Sequence, residues 1–408
     1  MKKRAPSSSS SLALAALPVA RSRLRLGLQL ILCVSVLACT LTLIRICSRS
    51  PSPVDLVEVP LLAPPKIAFL FLARSNLPLD FVWHTFFQAS PSSRIPFSAE
   101  EEKYSIYIHS EPGFVFDRTT TRSPFFFGRQ LQNGIRVVWG EATMIEAERL
   151  LLAVALKDPA NQRFALISDS CVPLYNFSYI YSYMMSSSKS FVDSFLDRKD
   201  VRYNAKMFPT IPKDRWRKGS QWITLVRKHA ETLVADTIVF PVFSKFCKVR
   251  SKIMYMTLIV LVPLQRQTGL ALGAKQNNKE AAQKEHDCIP DEHYVQTLLS
   301  MSHLEDELER RTLTYTSWNQ SIDTKDKRSW HPKTFEFPDA SLEHIMEIRN
   351  INHVYYETEY RTEWCQCNGT FVPCFLFARK FSRSAAMRIL NEGLLGPFDA
   401  GAFLFTNS

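Results

Sequence analysis

A short segment around Glu292 has the residue types and spacing of a proton-transfer site. The segment reads Cys288-Ile-Pro-Asp-Glu-His-Tyr294, and apolar residues at helical spacing follow it through residue 299. Pro290 suits the first position of a helix, because its missing N–H would have no partner there. We therefore expect Glu292 in a first helical turn, where the helix dipole favours an ionised carboxylate that can accept a proton from a hydroxyl. Acids are also common in first turns simply because they stabilise helices, so both interpretations stay open.

A second dense segment runs from Gly219 through Ser220 and Gln221 to Trp222. Glycine and serine let a ligand approach the backbone closely, and an indole can stack on the apolar face of a sugar. The segment is thus a candidate binding loop. The alternative interpretation is that Trp222 is an ordinary tryptophan of the hydrophobic core.

Cationic side chains end the segment Phe375-Leu-Phe-Ala-Arg-Lys-Phe381. The sequence has no GxGxxG or GxxxxGK[ST] loop, and Asp169-Ser-Cys171 is only half of a metal-binding Asp-x-Asp pair. A diphosphate leaving group would therefore be stabilised by basic side chains, and Arg379 and Lys380 are the candidates. The alternative is ordinary solvated charge at a strand end. No metal or other cofactor is expected.

The positive charge of the chain is concentrated at its N-terminus. Net charge is +11 over 408 residues, yet the first 50 residues hold eight Lys and Arg and no acid, so only +3 remains for residues 51–408. These basic residues flank an apolar segment and do not alternate with aromatic residues, which argues against a nucleic-acid surface. A hydrophobic fraction of 46% argues against wholesale disorder.

The apolar segment predicts a membrane anchor. Residues Leu26 to Ile44 contain no charge, and more basic residues precede the segment than follow it, which orients the C-terminal part toward the lumen. We expect a cytoplasmic tail (1–25), a transmembrane signal anchor (26–45), a Pro-rich stem (46–65) and a lumenal domain (66–408). The alternative is a cleaved signal peptide, although no small-x-small cleavage site lies cleanly after the segment.

Cysteines and glycosylation sequons agree with a lumenal domain. Six cysteines lie beyond the anchor region, enough for three disulfides of unspecified connectivity in an oxidising compartment. The cysteine spacing near the C-terminus is not that of a standard zinc module. Three sequons begin at Asn176, Asn319 and Asn368.

Alternating strand and helix patterns predict an α/β fold. A continuous apolar run predicts a strand covered on both faces at Ile67–Ala73, and further strands are expected at Tyr104–His109, Ile135–Trp139 and Phe164–Ser168. A helix is expected over residues 79–87, and Thr143-x-x-Glu146 predicts a capping box for a helix ending near residue 156. Such a chain forms right-handed βαβ units and a parallel sheet, which binds ligands at the carboxyl ends of its strands.

Taken together, these motifs resemble the plant, DUF266-like branch of the Core-2/I-branching β-1,6-N-acetylglucosaminyltransferase family. The segments occur in family order across roughly residues 66–390. They are Ile67–Ala73, Tyr107–Glu111, Ser168–Leu174, Arg217–Trp222, Cys288–Tyr294 and Cys374–Phe381.

The resemblance implies a type II Golgi membrane protein with a GT-A-like (Rossmann-like, mainly parallel sheet) domain. It also implies inverting, metal-independent transfer from a UDP-sugar to a glycan or glycoprotein hydroxyl. N-acetylglucosamine is the family's default sugar, and xylose and glucuronic acid occur among relatives. By motif, Glu292 matches the general base. Lys380 matches the lysine that contacts the diphosphate of UDP.

Further site residues follow from the same resemblance. Glu111 falls where the family has an acid that binds the nucleotide, and Asp169 lies in the neighbouring strand-end motif. Arg361 is the possible match to a second diphosphate-binding arginine, although its spacing to Lys380 is shorter than in the family. Gly219, Ser220 and Trp222 match a segment that lines the acceptor side.

Two departures from the family pattern leave an alternative. Residues 248–285 match the family only in their last part, so they form an atypical insertion or loop, or a gene-model error. The plant branch also differs from the animal enzymes at several positions, so a membrane-anchored carbohydrate-binding protein on an inactive scaffold is the rival interpretation. No feature of the sequence fixes the acceptor, the linkage or the oligomeric state.

Overall fold

The computed structural model describes residues 64–88, 103–198, 202–249, 288–318, 332–367 and 370–395, together with the isolated residue Ser35. The chain divides into two units, residues 1–62 and 63–408, and only the second is described below. Within the described residues, no helix is long and apolar enough to cross a bilayer. Apart from Ser35, the predicted anchor (26–45) lies outside the described residues, as does the predicted stem (46–65) up to residue 63.

The described residues form fifteen short or medium strands and eight α-helices. The strands are β1 (Lys66–Leu72), β2 (Tyr104–His109), β3 (Asn161–Ser168), β4 (Val172–Pro173), β5 (Ser190–Phe191), β6 (Phe195–Leu196), β7 (Arg217–Lys218), β8 (Thr224–Val226), β9 (Leu308–Glu309), β10 (Thr314–Thr316), β11 (His353–Tyr356), β12 (Arg361–Trp364), β13 (Gln366–Cys367), β14 (Thr370–Phe371) and β15 (Phe377–Arg379). The helices are α1 (Asp80–Gln88), α2 (Thr143–Ala155), α3 (Phe177–Ser186), α4 (Arg227–Ala235), α5 (Val239–Phe246), α6 (Tyr294–Met301), α7 (Leu342–Arg349) and α8 (Arg383–Asn391).

A six-stranded sheet with strand order β2-β1-β3-β8-β5-β9 is the centre of the fold. Strand β1 pairs in parallel with β2 and with β3, and β5 pairs in parallel with β9. Strand β8 is antiparallel to both of its neighbours. The sheet is therefore mixed but rich in parallel pairs, in agreement with the predicted α/β fold.

Both faces of β1 are covered, as its continuous apolar sequence predicted. Ala68 and Leu70 pack in one core cluster with residues of α2, α4 and α6. Ile67, Phe69 and Phe71 pack in a second cluster with Trp83 and other aromatic residues of α1. Alternate residues of a strand point to opposite faces, so a strand buried on both faces has no polar alternation.

A second sheet in the described residues has three strands. Its order is β10-β15-β4, with β15 in the middle, parallel to β10 and antiparallel to β4. Strands β11 and β12 form an antiparallel hairpin. A third core cluster lies under these elements and includes residues of α1, α7 and α8.

Two local predictions were wrong. Residues 135–139 form no strand. The backbone N–H of Ile135 bonds to Nε2 of His109, and Val138 and Trp139 are about half exposed, so the apolar run lies at a cleft and not inside a sheet. Helix α2 begins at Thr143, with Ala142 as the N-cap, so there is no capping box. The Thr143 hydroxyl accepts instead from the N–H of Val138.

The cysteine pairing also differs from three disulfides. Cys247 bonds to Cys288 and Cys365 bonds to Cys374. Cys171 is buried and free, because it follows β3 in the core, away from any thiol partner among the described residues. The side chain of Cys367 and residues 250–287, most of the atypical insertion, lie outside the described residues.

Candidate functional site

A cleft of about 1250 Å³ opens where the strands of the central sheet end. Leu72 ends β1 and Arg74 lies two residues beyond it, His109 ends β2, and Asp169 follows β3; all four residues line the cleft. This is the edge at which parallel α/β sheets bind ligands, as predicted. The cleft also receives residues from the turn before α6, from the loop before β8 and from the end of β15.

Glu292 lines this cleft, but not from the first turn of an α-helix. Pro290–Glu292 form a 3-10 turn, and His293 breaks it with φ −132° before α6 begins at Tyr294. The Glu292 side chain forms a hydrogen-bonded ion pair with Arg202, which also lines the cleft. The ion pair with Arg202 orients the carboxylate, whereas the helix dipole expected from the sequence would favour only its ionised form.

The backbone on both sides of Glu292 is fixed by hydrogen bonds. The N–H of Gly219 donates to the Glu292 carbonyl oxygen at 2.9 Å. The Nδ1 of His293 lies 2.7 Å from the Arg217 carbonyl oxygen, an acceptor only, so this nitrogen carries the proton. Burial lowers the pKa of His293 to about 3, so the ring stays neutral. The turn is therefore attached directly to the Arg217–Gly219 segment.

Two further carboxyl groups are buried near this turn, those of Asp291 and Glu148, and they interact electrostatically with each other. Asp291 is 5% exposed, its Oδ1 has no hydrogen-bond partner, and burial raises its pKa to about 7. Glu148 on α2 is also buried and accepts from Nε2 of Gln221 at 2.7 Å. Desolvation raises its pKa well above the ordinary value. The Asp291 carboxyl in the cleft can thus be partly protonated at neutral pH.

The predicted binding loop, Gly219–Trp222, lines the cleft, and a hydrogen bond to Asp193 fixes its backbone. The N–H of Ser220 donates to Oδ2 of Asp193 at 2.9 Å, and the hydroxyl of Tyr356 donates to Oδ1 of the same residue at 2.5 Å. Desolvation raises the pKa of Asp193. A side chain on Gly219 would put its Cβ 1.7 Å from the Asp193 carbonyl oxygen, so only glycine fits.

Trp222 agrees with both interpretations made from the sequence. It lines the cleft, yet it is only 6% exposed and belongs to the core. The guanidinium of Arg379 lies 4.3 Å from the centre of its ring, a cation–π contact that occupies one ring face. The indole therefore supports a cation of the site.

Arg379 and Lys380 bring two adjacent positive charges to the cleft. Arg379 ends β15, and its backbone is aligned by parallel pairing with Thr316 of β10. Burial lowers the pKa of Arg379 to about 10. Burial and the charges of Arg379 and Arg74 lower the pKa of Lys380. An anion between these groups would relieve that repulsion.

Acidic residues flank these cations. Asp169 lies 3.9 Å from Nε of Arg74, and both line the cleft. Glu111 is exposed at the same opening, and its N–H donates to the Arg74 carbonyl oxygen at 3.0 Å. Carboxylates here are suitable acceptors for hydroxyl or N–H groups of a bound nucleotide.

Comparisons with known proteins identify the family of the chain. A sequence model of the Core-2/I-Branching enzyme family matches residues 67–349, more than half of the chain. The protein belongs to this family. It is 50% identical over 345 residues to Glycosyltransferase BC10 of Oryza sativa subsp. japonica, and the alignment covers 84% of this chain and 80% of that protein. The protein is therefore a glycosyltransferase of the plant branch that the sequence motifs indicated.

One solved structure gives only a weak match. The chain described as A197 from STIV aligns with 9% identity and a TM-score of 0.19, over 41% of this chain and 67% of that chain. A likeness at this level supports no conclusion.

Arg361 is the predicted site residue of this glycosyltransferase that does not line the cleft. It lies on β12, where its guanidinium bonds to the carboxylates of Glu359 and Glu363 and stacks over the ring of Tyr356. Its charge is thereby compensated inside the hairpin. The contacts make Arg361 a support of the hairpin, and its binding of diphosphate stays a prediction without geometric support.

The remaining predicted positions concern glycosylation and metal. Asn176 is exposed and serves as the N-cap of α3, accepting from the N–H of Tyr179 at 3.0 Å. Asn319 and Asn368 lie outside the described residues. No group of three or more His, Cys, Asp or Glu is arranged to hold a metal ion in the part of the chain that the structure describes.

Several cleft residues had no signal in the sequence. Arg202 lies in an irregular segment, Asp193 follows a two-residue strand, and Tyr356 comes from a distant hairpin. Each reaches the cleft through long-range packing. Asp291 is the exception, because its position beside Glu292 in the Cys288–Tyr294 motif marks it for inspection.

Proposed function

We propose that this glycosyltransferase transfers a sugar from a UDP-sugar to a hydroxyl of a glycan or glycoprotein, with inversion and without a metal ion. N-acetylglucosamine is the sugar that the family resemblance favours. The observation that carries the proposal is that Glu292 and Lys380, 88 positions apart in the sequence, line one cleft. A base and a leaving-group cation in one cavity are what a single in-line displacement requires.

Glu292 acts on the acceptor in this mechanism. Its carboxylate, oriented by Arg202, takes the proton from the acceptor hydroxyl as the oxygen attacks the anomeric carbon. The Gly219–Trp222 loop beside it, connected to Glu292 through the Gly219 N–H, forms the wall against which the acceptor lies. Attack from the side opposite the leaving group inverts the anomeric centre.

Lys380 and Arg379 act on the departing UDP. Negative charge builds on the diphosphate oxygens as the glycosidic bond to the donor breaks, and fixed cations stabilise that charge without reorganisation. Trp222 holds Arg379 in position, and the exposed Arg74 adds a third cation at the opening. Asp169 and Glu111, beside Arg74, are placed to accept hydrogen bonds from the nucleoside.

A Golgi location with a single-pass type II anchor completes the proposal. It is supported by the apolar segment at 26–45 with its basic flanks. The two disulfides of the described residues agree with an oxidising lumen. Protease protection in sealed Golgi vesicles, with and without detergent, tests this orientation. A C-terminal region digested in intact vesicles would contradict it.

The central experiment compares the full-length protein with Glu292→Gln. UDP release is measured with UDP-N-acetylglucosamine, UDP-xylose and UDP-glucuronic acid over a panel of glycan acceptors, with and without EDTA. The variant should lose about 10²–10⁴-fold in rate, since it keeps the shape of the side chain but not the base. Glu231→Gln, on an exposed surface pair of α4, is the matched control.

Three results would contradict parts of this proposal. If a folded Glu292→Gln protein releases UDP at the full rate, Glu292 is not the base. Loss of rate in EDTA, restored by a divalent ion, removes the metal-independent mechanism. Retention of the anomeric configuration in the product, determined by NMR, removes in-line displacement.

A further inference from the structure

We propose that the Cys247–Cys288 disulfide is a positioning crosslink for the base Glu292. It fixes the turn that carries this residue, so that its loss lowers the rate of transfer more than it disturbs the fold or the binding of UDP. This inference rests on the proposed function of Glu292. The structural relationship that carries it is the attachment of α5 to the Glu292 segment at both ends.

The end of α5 is attached through the disulfide. Cys247 is the C-cap of this helix, and Cys288 lies four residues before Glu292. Their Cα atoms are 4.9 Å apart, both side chains are buried, and the N–H of Cys288 donates to the Lys248 carbonyl oxygen at 3.3 Å. Only Ile289, Pro290 and Asp291 separate the crosslink from the base.

The beginning of α5 is attached through Asp236. Its carboxylate accepts from the N–H groups of residues 238, 239 and 240 at 2.8–2.9 Å and thereby caps the helix. The same carboxylate accepts from the hydroxyl of Tyr294 at 2.9 Å, two residues after Glu292. The rings of Phe243 and Tyr294 also pack edge to face. The base therefore lies between two attachment points on one helix.

The segment after α5 contacts the loop that carries Trp139, another residue of the cleft. The N–H of Val249 donates to the carbonyl oxygen of Gly140 at 2.8 Å. Gly140 has φ +78°, and a Cβ there would come within 2.6 Å of the Val249 side chain. Its neighbour Trp139 lines the cleft. Residues 247–249 thus connect the crosslink to a loop that lines the cleft.

The crosslink also joins two described segments that are far apart in sequence. Residues 250–287 lie outside the described residues, and the disulfide bonds the segment ending at residue 249 directly to the segment that begins at Cys288. Without the covalent bond, the chain before Pro290 is restrained only by weaker contacts. Misplacement of a reacting group by about 1 Å can cost about a hundredfold in rate.

The test uses the full-length protein and the double variant Cys247→Ala/Cys288→Ala. The matched control is Cys365→Ala/Cys374→Ala, which removes the other described disulfide. With UDP-N-acetylglucosamine, UDP-xylose and UDP-glucuronic acid as donors, kcat for UDP release should fall about tenfold to a hundredfold in the first variant alone. KM for the donor and Kd for UDP should not change. Hydrogen exchange should accelerate in the peptide spanning residues 289–294.

An unchanged kcat in the folded double variant would overturn the proposal. If that variant does not fold, the disulfide is opened by a reducing agent in the folded wild-type protein, and mass spectrometry follows which bond is lost. Loss of UDP binding and of the near-UV circular dichroism spectrum together with transfer would also contradict it, because the bond would then hold the whole fold. If Glu292→Gln is fully active, the proposed function of Glu292 is itself wrong. If Glu292→Gln is inactive but the disulfide variant is fully active, only the inference about the crosslink is wrong.

Discussion

Arg202 donates a hydrogen bond from Nη1 to Oε2 of Glu292, and the two side chains form an ion pair in the cleft. Their side chains are 28% and 24% exposed, so water screens the pair only partly. The contact involves one carboxylate oxygen, Oε2. A carboxylate with a fixed orientation, the proposed base, therefore results from two residues that lie 90 positions apart.

Arg202→Ala should lower kcat for UDP release by about tenfold, because the Glu292 carboxylate would lose its orienting partner. Arg202→Lys keeps the positive charge but lacks the planar guanidinium group. Its kcat should therefore lie between those of Arg202→Ala and the wild type. The measurement is the initial rate at saturating donor, with KM determined in parallel. Equal kcat in all three proteins would show that the ion pair does not position the base.

Lys380→Ala should weaken the binding of UDP by about tenfold to a hundredfold, which corresponds to the roughly 1.5–3 kcal/mol of a hydrogen bond to a charged group. Arg361→Ala is the informative comparison, since Arg361 bonds to two carboxylates of its hairpin and does not line the cleft. Arg361→Ala should lower the free energy of unfolding but leave the Kd for UDP, measured by isothermal titration calorimetry, unchanged. If Arg361→Ala weakens the binding of UDP, Arg361 is part of the donor site.

Asp291→Asn should change the dependence of stability on pH. Burial raises the pKa of the Asp291 carboxyl from 3.8 to about 7. Between about pH 4 and pH 7 the folded protein holds a proton that the unfolded chain releases, so stability decreases as the pH rises through this range. The asparagine variant lacks this penalty and should be more stable than wild type by roughly 1–3 kcal/mol at pH 8, with less advantage at pH 5.

Urea unfolding of wild type and Asp291→Asn at several pH values measures this difference. Glu231→Gln on the exposed surface of α4 serves as the control, and its difference from wild type should be small. A stability difference for Asp291→Asn that is the same at pH 5 and pH 8 would contradict the prediction.

Gly219→Ala should destabilise the protein by more than about 3 kcal/mol, because its Cβ would overlap the Asp193 backbone and displace the binding loop. Gly393→Ala provides the contrast. That glycine has φ +67° and open space around the Cβ position, so the substitution should cost only about 1 kcal/mol of conformational strain. Thermal unfolding of both variants measures the difference, and similar losses would show that the loop can move aside.

The buried strands and the ends of the central sheet could be predicted from the sequence. The run from Ile67 to Ala73 is apolar on both faces, a pattern that is typical of a covered strand. The same pattern failed at Ile135–Trp139, where apolar side chains are about half exposed beside the cleft. Hydrophobicity alone does not distinguish a residue buried by its own fold from one exposed at a cavity.

The site was predictable where one short motif carries both position and chemistry, as around Glu292 and Lys380. It was not predictable where position comes from long-range contacts. Arg202 precedes Glu292 by 90 residues, and nothing in its neighbours indicates the pair. Arg361 shows the opposite error, because a guanidinium near the expected spacing is already bonded to Glu359 and Glu363.

The position of β15 has a consequence for how this protein should be divided. The family match ends at residue 349, yet β15 (Phe377–Arg379) is the middle strand of the small sheet and delivers Lys380 to the cleft. A truncated protein ending at residue 349 would retain the proton acceptor, and it would lose both cations and the strand that joins β10 to β4. Under the proposed mechanism, the smallest unit able to complete a reaction cycle extends at least through Lys380.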